Sequence, residues 1–353
     1  MDPNCNSVAH GICRHNGRLP SGDVIKIRRK LIVAFGASAL TVPVALFAQP
    51  QTAKIARLGI LSPLTASIAA HNLEALREGL RDLGWVEGRN LVVENRFAEG
   101  RADRLPELAT ELVRLKVDVI VTGAFPGALA AKNATATIPI VMVTTGDPTA
   151  SGLIGSLAHP GGNVTGVTAL GRELSVKRLS LLKEAVPGVA RVAILSNPAN
   201  PEDGPMVKSL EVAARSLGLQ LRALAVRDPT EFEKAFATIA KERAGAIMVL
   251  SDSLFYTHSK RIVELAAKSR LPATYGLRQN VDDGGLMFYG ATLADMYHRA
   301  ATYVDKILKG AKPTDLPVEQ PTTFDFVINM KTVKALGIKI PNSILVQATK
   351  VIE

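Results

Sequence analysis

Residues 191–226 read RVAILSNPANPEDGPMVKSLEVAARSLGLQLRALAV, and this stretch decides the fold. Residues 191–195 form a short apolar run, 204–217 carry apolar positions at helical spacing, and 219–226 return to a strand pattern. A strand, a helix and a second strand in about 36 residues is the unit that makes a parallel sheet with crossover helices. The pattern continues downstream, with a helix at 230–243, a strand at 246–250, a helix at 259–269, strands at 271–275 and 286–289, and a helix at 295–308. It also runs upstream. A strand at 55–61 is followed by a helical face of Leu73, Leu76, Leu80 and Leu83 that Gly84 stops. Strands at 91–96, 117–122 and 138–143 alternate with a helix that Asp103 can cap and another that starts near Pro126. Between the two series, residues 144–166 are rich in Gly, Pro, Ser and Thr. The expectation is an α/β protein of two doubly wound, Rossmann-like lobes joined by a hinge.

The 353 residues are 47% hydrophobic and 21% charged, which suits a folded chain rather than a disordered one. Cys5 and Cys13 are the only cysteines, so the main body has no disulfide framework, zinc knuckle or thiol nucleophile. The net charge of +10 invites a nucleic-acid reading. Six basic groups and two acids fall within residues 1–48, so the remainder carries +6, scattered among acids with no long run of like charge. No nucleic-acid partner is therefore expected. Lys26, Arg28, Arg29 and Lys30 precede an uncharged apolar run at 31–47 that ends in Ala48 and a polar segment. This is the layout of a secretory signal peptide over about 24–48, with cleavage after Ala48 and either a Sec or a twin-arginine route. An uncleaved anchor is the alternative reading of the same run. The expectation is a periplasmic protein whose mature form is soluble and monomeric, with residues 1–48 as extension and signal.

Ligands of open α/β sheets bind beyond the carboxyl ends of the strands. Polar or small residues stand there repeatedly: Ser62, the turn Thr122-Gly123-Ala124-Phe125, Thr145 and Asp147, Asn197, and Asp252 between two serines. Hydroxyls and free backbone N–H groups at helix starts suit an anionic group, and Asp147 or Asp252 can pair with an ammonium. Phe125, Tyr256 and Tyr275 can wall off an apolar side chain. Each residue also has a purely structural reading. Asp147-Pro148 and Asn197-Pro198 are turn signals, and Ser251 or Ser253 can cap the next helix. No dinucleotide fingerprint, phosphate loop or nucleophile elbow is present, and His71, His159, His258 and His298 stand isolated. Neither a catalytic constellation, nor a metal site, nor a cofactor is expected.

Three stretches are more specific: GDPTASGLIGSLAHPGGNVTGV at 146–167, GGLMFYGA at 284–291, and YVDKILKGAKPTDLPVEQPTTFDFVINMKTVKALGIKIPNSILV at 303–346. They resemble the ABC transporter substrate-binding protein family, in particular the periplasmic receptors related to tryptophan and aromatic amino-acid binding, and the likeness extends over 54–353. The resemblance implies a type I periplasmic-binding-protein-like fold with three hinge crossings, so that lobe 1 would comprise 54–166 plus 290–323 and lobe 2 would comprise 167–289 plus 324–353, with hinge segments near Val167, Tyr289 and Phe324. It also implies a small-molecule solute such as an amino acid, captured in an interlobe cleft, and ABC permease and ATPase subunits as transport partners. Carried onto this chain, the pocket positions would be Ser62, Thr122, Gly123, Ala124, Phe125, Thr145, Asp147, Asn197, Asp252 and Tyr275. The rival expectations are a sensor that presents its closed form to a membrane signalling receptor, a periplasmic enzyme, and the effector domain of a repressor.

Overall fold

Short runs of Val, Ile and Leu, buried on both faces, build two sheets, as parallel strands between helix layers require. The structure is a computed structural model and describes residues 55–353. The expected signal peptide and the extension before it lie outside the described residues.

The first sheet contains β1 (Ala56–Ser62), β2 (Leu91–Phe97), β3 (Val119–Gly123), β4 (Ile140–Thr144) and β5 (Val164–Thr168) in the order β2-β1-β3-β4-β5, all parallel. Its connecting helices are α1 (Ala66–Asp82), α2 (Leu105–Arg114) and α3 (Ala124–Ala134). The chain then enters the second lobe through α4 (Gly171–Ala185). There β6 (Arg191–Ser196), α5 (Asp203–Ser216), β7 (Gln220–Ala225), α6 (Phe232–Lys241), β8 (Ala246–Val249), α7 (Ser253–Thr257), α8 (Ser259–Lys268), β9 (Ala273–Tyr275), α9 (Gln279–Asp282) and β10 (Met287–Gly290) follow. Next α10 (Leu293–Leu308) returns to the first sheet. Finally β11 (Asp325–Asn329), α11 (Met330–Leu336), α12 (Asn342–Leu345) and β12 (Lys350–Ile352) complete the second sheet. Its order is β12-β11-β10-β9-β8-β6-β7, parallel except that β11 runs antiparallel to β10.

Alternation along each strand divides the side chains between two helix layers. In the first lobe, Leu58, Ile60, Val119, Val121, Val141 and Val143 face α1 and α10, while Leu61, Ile120, Ile140 and Met142 face α2 and α3. In the second, Val192, Ile194 and Met248 belong to one core, and Ala193, Leu195, Ile247 and Val249 to the other. Each fully buried Leu or Val contributes about 1.5–3 kcal/mol of burial free energy. The α1–α10 contact is close because position 79 is glycine: an added Cβ would stand 2.8 Å from both the Ala301 Cβ and the His298 carbonyl oxygen. That junction fastens α10 (Leu293–Leu308), far along the chain from α1 (Ala66–Asp82), to the first lobe.

Three adjustments to the sequence expectations follow. Strand β5 carries the first sheet on to Thr168, past the expected break at 166, and Gly290 still belongs to β10 in the second sheet. The paired hydroxyls explain the first: Thr165 Oγ1 donates to the Leu316 carbonyl at 2.6 Å, and Thr168 Oγ1 donates to that of Gly146. These bonds satisfy a strand that the Gly-rich sequence conceals. Asp103 does not cap α2; it lies in a 3-10 turn at Ala102–Arg104, and the helix starts at Leu105 with Pro106 in its first turn. Among the described residues, no helix is long and apolar enough to cross a membrane.

Candidate functional site

The carboxyl ends of β1, β3 and β4 and the ends of β6 and β8 face each other across a cleft of about 630 Å³. On the first-lobe side it is lined by the loop Ser62-Pro63-Leu64, the start of α3, Val143 to Thr145, and three side chains from helices, Asn72, Leu293 and Tyr297. The second lobe contributes Asn200, Glu202, Ser251 to Ser253, Tyr256 and Leu277. An adjoining cavity of about 1170 Å³ shares Asn72, Thr145, Tyr256, Leu277 and Leu293 with it.

The first-lobe wall is rich in hydroxyls and main-chain groups. Ser62 Oγ accepts the Leu64 N–H at 3.2 Å, which leaves its own hydroxyl hydrogen to donate. Helix α3 has no side-chain cap at Gly123, and the next residue, Ala124, adopts φ 61°, a region that non-glycine residues rarely occupy. Gly123 is needed there, because an added Cβ would coincide with the Tyr297 hydroxyl. An uncapped helix start at a cleft offers N–H groups to a carboxylate or another electron-rich group.

The second-lobe wall carries two carboxylates, Glu202 and Asp252, with Asp203 behind them. Asp252 caps α7: its Oδ1 accepts the Leu254 N–H at 2.8 Å and Asn197 Nδ2 at 3.0 Å, and its Oδ2 accepts Asn200 Nδ2 at 3.1 Å. Burial still pushes its carboxyl above the usual range, against the pull of these donors. Asp203 Oδ2 accepts the Asn197 N–H at 2.6 Å, and burial together with the nearby Asp252 carboxylate raises Asp203 to about 8. Glu202 is raised to about 7, chiefly by burial, while the Asp147 backbone N–H opposes the shift.

Contacts also join the two lobes in and beside the cleft. Asn72 Nδ2 donates to the Tyr256 hydroxyl at 3.4 Å, and Arg172 of α4 stands 3.7 Å from Asp147 Oδ2. An added Cβ at Gly146 would coincide with the Glu202 carboxylate, so glycine is what lets the two lobes meet there.

Of the ten sequence candidates, Ser62, Gly123, Ala124, Phe125, Thr145 and Asp252 line the cleft. Thr122 is buried behind it at the end of β3. Asp147 instead faces a neighbouring cavity, with its Oδ1 accepting the N–H groups of Thr149 and Ala150, so its turn reading holds. Asn197 is spent on Asp252 and on the Ala199 N–H. Tyr275 is 1% exposed within the core of the second lobe and does not reach the cleft. Asn72, Asn200, Glu202 and Tyr297 were missed. Asn200 and Glu202 had a local signal, a polar loop of six residues between β6 and α5. Asn72 and Tyr297 lie inside long helices and had none. A separate apolar groove of about 620 Å³ lies beside Leu73, Leu80, Trp85 and Val93, away from these strand ends.

Residues 58–352 match the family model described as ABC transporter substrate binding protein. The chain belongs to this family of substrate-binding proteins. A curated relative, the tyrosine-binding protein of Clostridioides difficile, is 26% identical over 263 residues, covering 74% of this chain and 75% of that protein. A conserved domain protein from Vibrio cholerae superposes with a TM-score of 0.80 at 28% identity, covering 84% of this chain and 100% of the other. The ABC domain of a Streptococcus pneumoniae protein in complex with L-Trp superposes at 0.78 with 27% identity, covering 84% and 99%. The two-lobed architecture is that of type I periplasmic-binding-protein-like receptors, as the three stretches that resemble the family implied.

Proposed function

We propose that this family member is an extracytoplasmic receptor that captures an amino acid or related small solute in the interlobe cleft and delivers it, chemically unchanged, to an ABC permease and its ATPase. The carrying observation is the cleft itself, where helix starts and hydroxyls of one lobe face buried carboxylates of the other. The tyrosine-binding relative and the L-Trp complex support an aromatic amino acid as the solute class. Closure works by rotation of the lobes about three chain segments, at 169–170, 291–292 and 320–324. The signal peptide at about 24–48 accounts for export, and the mature receptor acts as a monomer.

The test is a thermal-shift panel on residues 49–353, stripped of bound solute by partial unfolding, against amino acids, amines, aromatic acids, purines and sugars. A ligand at about a hundred times its dissociation constant stabilises by about 2.7 kcal/mol. The expected result is a saturable shift by aromatic amino acids, with the compound recovered intact. Flat curves across the panel, or chemical conversion of the compound, would contradict the reading.

A further inference from the structure

We infer that Glu202, and not Asp252, is the carboxylate that receives a positively charged group of the solute, and that the cleft selects a protonated amine carried on an aromatic or apolar body. This rests on the solute-capture reading of the same cleft.

The charges lining the cleft are one-sided. Two carboxylates, Glu202 and Asp252, and three aromatic rings, Phe125, Tyr256 and Tyr297, face it, and among the described residues that line it there is no Lys, Arg or His. Carboxylates and ring faces both attract a cation. The two carboxylates are not equivalent. A carboxylate offers about four lone-pair sites. Asp252 receives Asn197, Asn200, Leu254 and the Ser253 N–H, so its sites are filled. Glu202 receives only a main-chain N–H, that of Asp147. Its own backbone is fixed, because the Glu202 N–H donates to Asn200 Oδ1 at 3.2 Å. A partly buried carboxylate with open acceptor sites at a cleft wall is the group that a bound cation would complete.

Three charged groups neighbour it. Asp147 and Asp203 are acidic and disfavour a further negative charge, whereas Arg172, 3.7 Å from Asp147 Oδ2 on the side away from the cleft lining, favours the ionised form of Glu202 and only partly offsets its burial. Burial raises Glu202 to about 7, so in the empty receptor it is largely protonated at lower pH and ionised above neutrality. Amine affinity should therefore rise with pH across that value, by up to about tenfold per unit on the acid side.

Calorimetry with tryptamine, L-tryptophan and indole-3-propionate, at about pH 6 and about pH 8, tests this on wild-type receptor and Glu202→Gln. The amide keeps an oxygen for the Asp147 N–H, and an unchanged melting temperature checks that the variant is folded. Both amines should bind wild type, more tightly at the higher pH, and indole-3-propionate should not. Glu202→Gln should weaken the amines by about tenfold or more and flatten their pH dependence. Binding of indole-3-propionate alone, or amine binding that Glu202→Gln leaves unchanged, overturns the inference while solute capture stands. Failure of both amines to bind wild type also overturns it, and the broader thermal panel then decides separately whether solute capture falls with it.

Discussion

The two walls of the cleft solve opposite problems. The first-lobe wall presents donors that need little preparation: a serine hydroxyl, an uncapped helix start and a glycine that leaves room for Tyr297. The second-lobe wall presents carboxylates, and burying them demands support, which Asn197 and Asn200 supply. On the proposed reading, a cation alone would engage the acidic wall, and a solute that also carries an electron-rich group would engage both walls. Binding is, on that reading, coupled to closure, since either lobe alone offers half of the complement.

The largest effect should come from removing the support on the acidic side. Asp252→Ala strands two buried amide donors and uncaps α7, and should cost about 3 kcal/mol of stability, read from urea midpoints. Solute affinity should also drop by about tenfold or more, as the loop carrying Asn200 and Glu202 loses its anchor. Ser62→Ala on the other wall should cost about 1 kcal/mol, since it loses one local hydrogen bond. Equal losses at the two positions would break the contrast between the walls.

A second effect concerns the slope of stability with pH. Asp203 has a folded value of about 8, well above that of an unfolded aspartate. Between about pH 4 and 8 the native protein holds a proton that the unfolded chain releases, so this group makes stability fall as pH rises through that window. Asp203→Asn should flatten the decline in denaturation midpoints, and a profile identical to wild type would remove Asp203 as its source. The smallest effect is expected at the crossing itself. The Asn72–Tyr256 bond is long, at 3.4 Å, so Tyr256→Phe should change solute affinity by no more than about threefold.

Much of the fold was legible because apolar periodicity is a local signal. The sequence placed a strand at 55–61 and the structure has β1 at Ala56–Ser62; the stretch 191–226 gave β6, α5 and β7 to within a residue or two. Strand β5 and helix α4 were not read. The strand VTGVT is short and follows a Gly-rich loop, and its stability comes from distant carbonyls of Leu316 and Gly146. Helix α4 buries Ser175 and Arg178 on its inner face, with Arg178 donating to the Tyr289 carbonyl, and these polar residues interrupt the apolar stripe. The site was legible where it consists of loops after strands. It was obscure where a helix contributes one side chain, as at Asn72 and Tyr297, or where a candidate's hydrogen bonds are spent on its neighbours, as at Asn197.

The most direct test of the cleft as the solute site is hydrogen exchange on residues 49–353, with and without the aromatic amino acid that most raises the melting temperature. The account predicts slowed exchange on both walls together, at 62–65 and 123–127 in the first lobe and at 199–203 and 251–257 in the second. Protection confined to one lobe, or to the groove beside Trp85 with the cleft unchanged, would contradict it.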